Sequence, residues 1–291
     1  MQKHPERTRG NIQQAFREWW KHCDTHADII AIFYFCGHGL EADEQYVLAS
    51  DFGADEEFLP WQNVIAIDTT IKGLWRNKAQ TQCVFVDACR EVTEAGRSTP
   101  KISGSGLKTY VQGNGPRPRH TLEIRAVAAE ERAFARPEST SYFTAALVAA
   151  LEGAAAEEDP QTGEWVVSTT SMTARFFDVL AEVAPHRTET PQPLPGWPTV
   201  LYRPPKPPTV NVTVDCDPRD ALRIARLSCM AMEGDAKFER AEPEPSPWTQ
   251  LVPAGYYRVV AKFGPGAEFA NRQETLLASP PRRGRMLRVW R

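Results

Sequence analysis

The sequence predicts an α/β protein with a mostly parallel sheet, followed by a small all-β sandwich. Two apolar runs, residues 28–35 and 83–86, lack polar alternation, as strands covered on both faces of a parallel sheet do. Helical patterns alternate with them along the chain. A proline-dense stretch from Pro191 to Pro208, too stiff to continue a helix or a central strand, then divides this region from short alternating segments punctuated by Pro and Gly.

Ile12, Phe16, Trp19 and Cys23 recur at helical spacing, with Gln13, Arg17, Glu18 and Lys21 on the opposite face, so the chain opens on an amphipathic helix. The first buried strand follows and is broken by Cys36-Gly37-His38-Gly39. Residues 46–49 predict a short strand or extended return, and 61–75 a second helix. The second buried strand ends at Asp87-Ala88-Cys89-Arg90. Gly, Ser, Thr, Pro, Lys and Arg dominate 91–120, which predicts a mobile surface loop. A third strand covers 122–128. Ser141 caps a helix through Phe143, Leu147 and Leu151, and 173–183 forms another with Phe176, Phe177 and Leu180 inward. Beyond the prolines, 209–214, 221–227 and 251–263 predict strands. The domains are 1–203, a linker at 204–208, and a β-sandwich at 209–291.

With 291 residues, 42% hydrophobic and 24% charged, the chain can bury one substantial core and a second smaller one. A net charge of −3 supplies no basic face for nucleic acid or an anionic membrane, so neither is expected as a partner. The longest apolar run, 29–36, is too short to cross a bilayer, and nothing at Met1 resembles a signal sequence, which predicts a cytoplasmic protein. The six cysteines lack the close pairs of a disulfide framework or a zinc site, and Cys23, Cys83, Cys216 and Cys229 read as packed thiols. Asp51, Asp55, Glu56 and Glu57 read as a solvated acidic loop. No metal or cofactor is expected.

The chemistry gathers at two strand ends, where open parallel sheets place their reacting groups. His38-Gly39 follows the first buried strand and Asp87-Ala88-Cys89 ends the second. A thiol with a pKa near about 8.5 is mostly protonated at neutral pH, so a cysteine nucleophile needs an imidazole to take its proton. His38 can take it from Cys89 and later hand it to a leaving amine. Gly39, without a side chain, lets a carbonyl oxygen approach its N–H, and the Cys89 N–H supplies a second oxyanion donor. A zinc site from Cys36, His38 and Cys89 would lack a ligand pair of standard spacing.

Residues 32–39, the Asp87-Ala88-Cys89-Arg90 segment and Tyr142-Phe143-Thr144-Ala145-Ala146-Leu147, with the His 51 residues before the Cys, resemble the caspase and metacaspase superfamily of bacterial, peptidase C14-like type. The similarity covers residues 8–203. It implies a caspase-like three-layer sandwich and a thiol endopeptidase with His38, Cys89 and Gly39 as catalytic residues. Asp87 stands where animal caspases have Gln, and Glu91 where they have Gly. Metacaspases carry an aspartate at the first position, lining the pocket for the residue before the cut. The resemblance therefore implies cleavage of protein or peptide substrates after Arg, then Lys, since a carboxylate can accept two parallel hydrogen bonds from a guanidinium. Cys36 falls where the family places a small residue facing the same pocket, and is the second substrate-binding candidate. Similar proteins act in prokaryotic stress, defence or cell-death circuits. The alternative reading is a silent pseudo-protease, or a docking protein working through its β-domain.

Family members also carry two further strands and a helix ahead of the His-Gly strand, in a six-stranded sheet, whereas 27 residues precede that strand here. The N-terminal strands are thus expected to be missing, leaving residues 29–35 as an apolar edge. The start lies upstream, the chain is a processed fragment, or an activating or N-terminal-completing protein partner supplies the rest. Metacaspases often need calcium, but no credible set of oxygen ligands stands out. Arg97, Lys101 and Lys108 in the 91–120 loop are candidate self-processing sites.

Overall fold

The computed structural model describes residues 6–54, 57, 61–88, 102, 104–109, 118–126, 140–184 and 198–289. These group into two compact units, residues 1–146 with 183–199, and residues 147–182 with 200–291.

The first unit opens on helix α1 (Arg9–Cys23), the predicted amphipathic helix. Its Thr8 hydroxyl accepts the Asn11 N–H at 3.3 Å, and the Asp51 carboxylate accepts the Arg9 N–H at 2.8 Å. Asp51 therefore holds the start of α1 and is not part of a solvated acidic loop; Asp55 and Glu56 lie outside the described residues. Then follow β1 (Ile30–Gly37), β2 (Gly39–Glu41), β3 (Gln45–Leu48), β4 (Val64–Ala66), α2 (Ile67–Leu74), β5 (Thr81–Ala88), β6 (His120–Arg125) and α3 (Tyr142–Ala149). The single helix expected over 61–75 is a strand and a helix in series. Glu44 explains the switch, since its carboxylate accepts the Thr69 N–H at 2.9 Å and the Thr69 hydroxyl at 2.8 Å, fixing the first turn of α2.

Strands β1, β5 and β6 form the predicted parallel sheet, in the order β1-β5-β6. The β1–β5 register runs from Ile30 opposite Thr81 to Gly37 opposite Ala88. The central strand β5 is buried at every position. Side chains alternate across it. Val84, Val86 and Ala88 pack with Phe16 of α1 and with Ile67 and Leu74 of α2, while Asp87 turns to the other face and meets the start of α3. Helices α1 and α2 thus pack on one face, and the start of α3 meets the other at Asp87.

Strand β1 is not covered on both faces as its apolar run suggested: Ile32 and Tyr34 are 48% and 43% exposed, on the edge of the described sheet. An uninterrupted apolar run reads alike whether or not a neighbour is present. The expectation of an apolar edge here matches that exposure.

Ile102 and Leu107, within the predicted mobile loop, are instead held against the rest of the unit. Ile102 and Leu107 are buried, and Ser105 bridges to Ile65 of β4. The Gln13 amide donates to the Leu107 carbonyl at 2.7 Å, and the Thr70 hydroxyl accepts the Leu107 N–H at 2.9 Å. Two glycines hid this from composition: a Cβ on Gly104 would lie 2.6 Å from the side chains of Tyr46 and Val64, so the low hydrophobicity marks close approach. Lys108, a candidate processing site, stacks over the Trp20 ring at 4.8 Å, and Arg97 and Lys101 lie outside the described residues. A Cβ at Gly73 would run into the Lys108 carbonyl oxygen. Gly73→Ala is accordingly expected to destabilise the protein by about 1–3 kcal/mol, measured by denaturant unfolding. An unchanged midpoint would mean that this segment does not pack on α2.

In the second unit a short sheet of β7 (Glu157–Glu158), β8 (Trp165–Ser168) and β9 (Val200–Tyr202) accompanies α4 (Thr169–Val183). The remaining strands are β10 (Thr209–Asp217), β11 (Arg226–Ala231), β12 (Lys237–Arg240), β13 (Trp248–Pro253), β14 (Gly255–Lys262), β15 (Arg272–Ala278) and β16 (Arg282–Arg288). Two sheets, β13-β10-β16 and β12-β11-β14-β15, close over one core that includes Val212, Leu227, Val259 and Leu287, forming the predicted sandwich. Trp165 of β8 packs against that core. The strand expected over 221–227 is a 3₁₀ turn, Arg219–Arg223, followed by β11, and 251–263 holds the end of β13 and all of β14, which lie in different sheets. The arginine-rich strand β16 pairs in parallel with β10, and Arg285 in it is ion-paired with Glu274. Cys23, Cys83, Cys216 and Cys229 are buried free thiols, as their apolar settings predicted.

Candidate functional site

The site lies where β1 and β5 end. Their register sets Cys36 opposite Asp87 and Gly37 opposite Ala88, the residues that lead into His38 and Cys89. Cys89 lies outside the described residues, so no distance within the dyad is given. His38 is exposed, and its carbonyl accepts the Leu48 N–H at 2.9 Å. Gly39 opens β2 opposite Val47, so this short hairpin anchors the backbone on both sides of the imidazole. His38 also borders a cavity of about 610 Å³ lined by Phe33, Phe35, Leu48 and Phe52.

The sheet's other face carries a second feature. Asp87 is 2% exposed, and a carboxylate so buried needs donors. Among the described residues it has three, all on Oδ2: the Ser141 hydroxyl, the Thr144 hydroxyl at 2.5 Å and the Cys36 thiol at 3.6 Å. Ser141 Oγ also accepts the Thr144 N–H at 3.0 Å, the predicted cap of α3. Tyr34 completes the group, its phenol 2.6 Å from Thr144 Oγ1. Thr144 has one hydroxyl proton, already given to Asp87, so the phenol is the donor of that bond. Burial, with Cys36 and Asp87 adding to it, pushes the Tyr34 phenol up to about 12, so it keeps its proton.

Asp87 and Cys36 were recognisable from the sequence, and the structure brings them together. Ser141 was foreseen only as a cap, and Tyr34 and Thr144 were missed. A signal existed: Tyr34 stands two before Cys36 on one face of a strand, and Ser141 and Thr144 share one turn at a helix start.

Partial desolvation, then the Asp87 charge, pushes the Cys36 thiol above its ordinary value. Its thiolate is therefore scarcer at neutral pH than that of a free cysteine. Iodoacetamide is expected to modify Cys36 more slowly than glutathione at pH 7.5, with the rate still climbing beyond the ordinary thiol range. Peptide mapping over a pH series measures this, and modification as fast as glutathione's would contradict it.

Parallel strands that lead in sequence into a His-Gly and an Asp-Ala-Cys, with α1 and α2 on one face and the start of α3 against Asp87 on the other, define an α/β domain. The caspase domain family, peptidase C14, has a model that matches residues 1–181, and the chain belongs to that family of cysteine peptidases. A curated protein of Sinorhizobium fredii (strain NBRC 101917 / NGR234), named uncharacterized protein y4kE, is 27% identical over 230 residues, covering 74% of this chain. The chain spans about 64% of the length of that relative. Among the described residues, no helix is long and apolar enough to cross a membrane.

Proposed function

We propose that this protein is a cysteine endopeptidase that cleaves after Arg or Lys, with Cys89 as nucleophile and His38 as its base. The observation that carries the reading is the buried Asp87 carboxylate, set opposite Cys36 in the register that leads into His38 and Cys89. His38 takes the thiol proton, and the thiolate attacks the scissile carbonyl. The N–H groups of Gly39 and Cys89 receive the oxyanion. Collapse of the tetrahedral intermediate breaks the C–N bond, and the amine leaves with the proton from His38. Water, deprotonated by His38, then hydrolyses the thioester. Asp87 at the pocket base favours a cationic side chain and repels an acidic one. Its place opposite Cys36 at the end of β5, in the register that leads into His38 and Cys89, supports that role.

The proposal extends to a cytoplasmic bacterial protein; a role in defence or cell death rests on the family resemblance. It includes a β-segment, from this or another chain, pairing with β1, which stands at the edge of the described sheet β1-β5-β6. Fluorogenic peptides with Arg, Lys or Asp before the scissile bond test the reading. Cleavage of the Arg and Lys peptides, with the Asp peptide untouched, is expected. Cleavage of the Asp peptide alone would overturn it, and silence on all three would favour the pseudo-protease reading.

A further inference from the structure

We infer that Thr144, held in turn by Tyr34, is the positioning residue for the selective carboxylate: a chain of hydroxyls from Tyr34 through Thr144 fixes Asp87 for a basic side chain. The inference rests on the reading of Asp87 as the base of the specificity pocket. It accounts for side chains that the dyad chemistry does not use.

A carboxylate can turn about its last torsion, and a cation gains most when both oxygens stay in place. Here the donors converge on one oxygen. Ser141 and Thr144 come from the same helical turn, and Ser141 is itself fixed because its oxygen accepts the Thr144 N–H at 3.0 Å. Thr144 is oriented from the other side by Tyr34 at 2.6 Å. Tyr34 stands on β1 two residues before Cys36, so one strand supplies both the thiol beside the carboxylate and the phenol that steers its clamp. The direction of the chain is set by proton count: phenol to threonine, threonine to carboxylate. With Oδ2 committed to hydroxyls, the fork of an arginine depends on the clamp's exact placement more than the single ammonium of lysine does.

Thr144→Val keeps the shape and removes the hydroxyl. It is expected to raise KM for an arginyl peptide about tenfold, with kcat held within about twofold, and to move the Arg-to-Lys preference toward Lys. Thr144→Ser restores the hydroxyl and should recover the arginyl KM, which a purely steric role would not predict. An unchanged KM and preference in Thr144→Val, or a Thr144→Ser variant as impaired as Thr144→Val, overturns the inference. Should Thr144→Val not fold, Tyr34→Phe carries the test, with a rise in KM of about threefold expected and no rise overturning it.

A readout without turnover separates this inference from the reading beneath it. Agmatine, an arginine side chain without the peptide, should shield Cys36 from iodoacetamide in the parent protein, less in Thr144→Val, and again in Thr144→Ser. Equal shielding in parent and Thr144→Val overturns the hydroxyl chain alone. No shielding in the parent overturns the basic-residue pocket and the inference with it.

Discussion

Replacing Cys89 by alanine is expected to lower cleavage of an arginyl peptide by at least about 10⁴-fold. Alanine offers no nucleophile, and the route left is direct attack by water, assisted only by whatever binding and oxyanion stabilisation survive. His38→Ala is expected to cost a similar amount, because a thiol left with its proton is a poor nucleophile. The two residues act as one unit, so the double variant should be scarcely worse than either single one. Progress curves at high enzyme concentration measure all three, and additive losses would mean that His38 does not serve Cys89.

The second large effect belongs to Asp87. Asp87→Ala is expected to reduce kcat/KM for arginyl peptides by about 10²- to 10³-fold, the loss that follows when one partner of a buried, hydrogen-bonded charge pair is removed. The Ser141 and Thr144 hydroxyls, now without their acceptor, add to the cost in the same pocket. The dyad is untouched, so a small reactive thiol probe without a basic group should label Cys89 at the parent rate. Comparing peptide turnover with probe labelling separates the two. If Asp87→Ala lowers both equally, the carboxylate supports the fold of the site and not the choice of substrate.

Much of the frame was legible because it rests on local patterns. The 3.6-residue rhythm of Ile12, Phe16, Trp19 and Cys23 gave α1, and the two apolar runs gave the parallel pair that leads into His38 and Cys89. What escaped depends on partners distant in sequence. Nothing near Ile102 or Leu107 reveals that Tyr46 and Val64 will bury the first and α1 and α2 the second, and Gly104 and Gly106 read as flexibility where they serve contact. Nothing near Asp51 points to the Arg9 N–H, 42 residues back. The strands β12, β15 and β16 are hidden in the sequence because charged residues break the alternation: Glu274 and Arg285, which pair with each other, stand at the same parity as the buried Leu276 and Leu287. At the site, the residue types that perform chemistry stand out by their motifs. Thr144 and Tyr34 do not, since a threonine in a helix and a tyrosine in a strand are ordinary until the fold sets Thr144 between Tyr34 and Asp87.

The most direct test is covalent capture: the protein is treated with an arginyl acyloxymethyl ketone, which alkylates a nucleophilic thiol only when its basic side chain is seated, and the adduct is located by tandem mass spectrometry. A single adduct on Cys89, absent with the aspartyl analogue and lost in Asp87→Ala, is the predicted result. Labelling confined to Cys36, or equal labelling by the arginyl and aspartyl reagents, would contradict a Cys89 peptidase directed to basic residues.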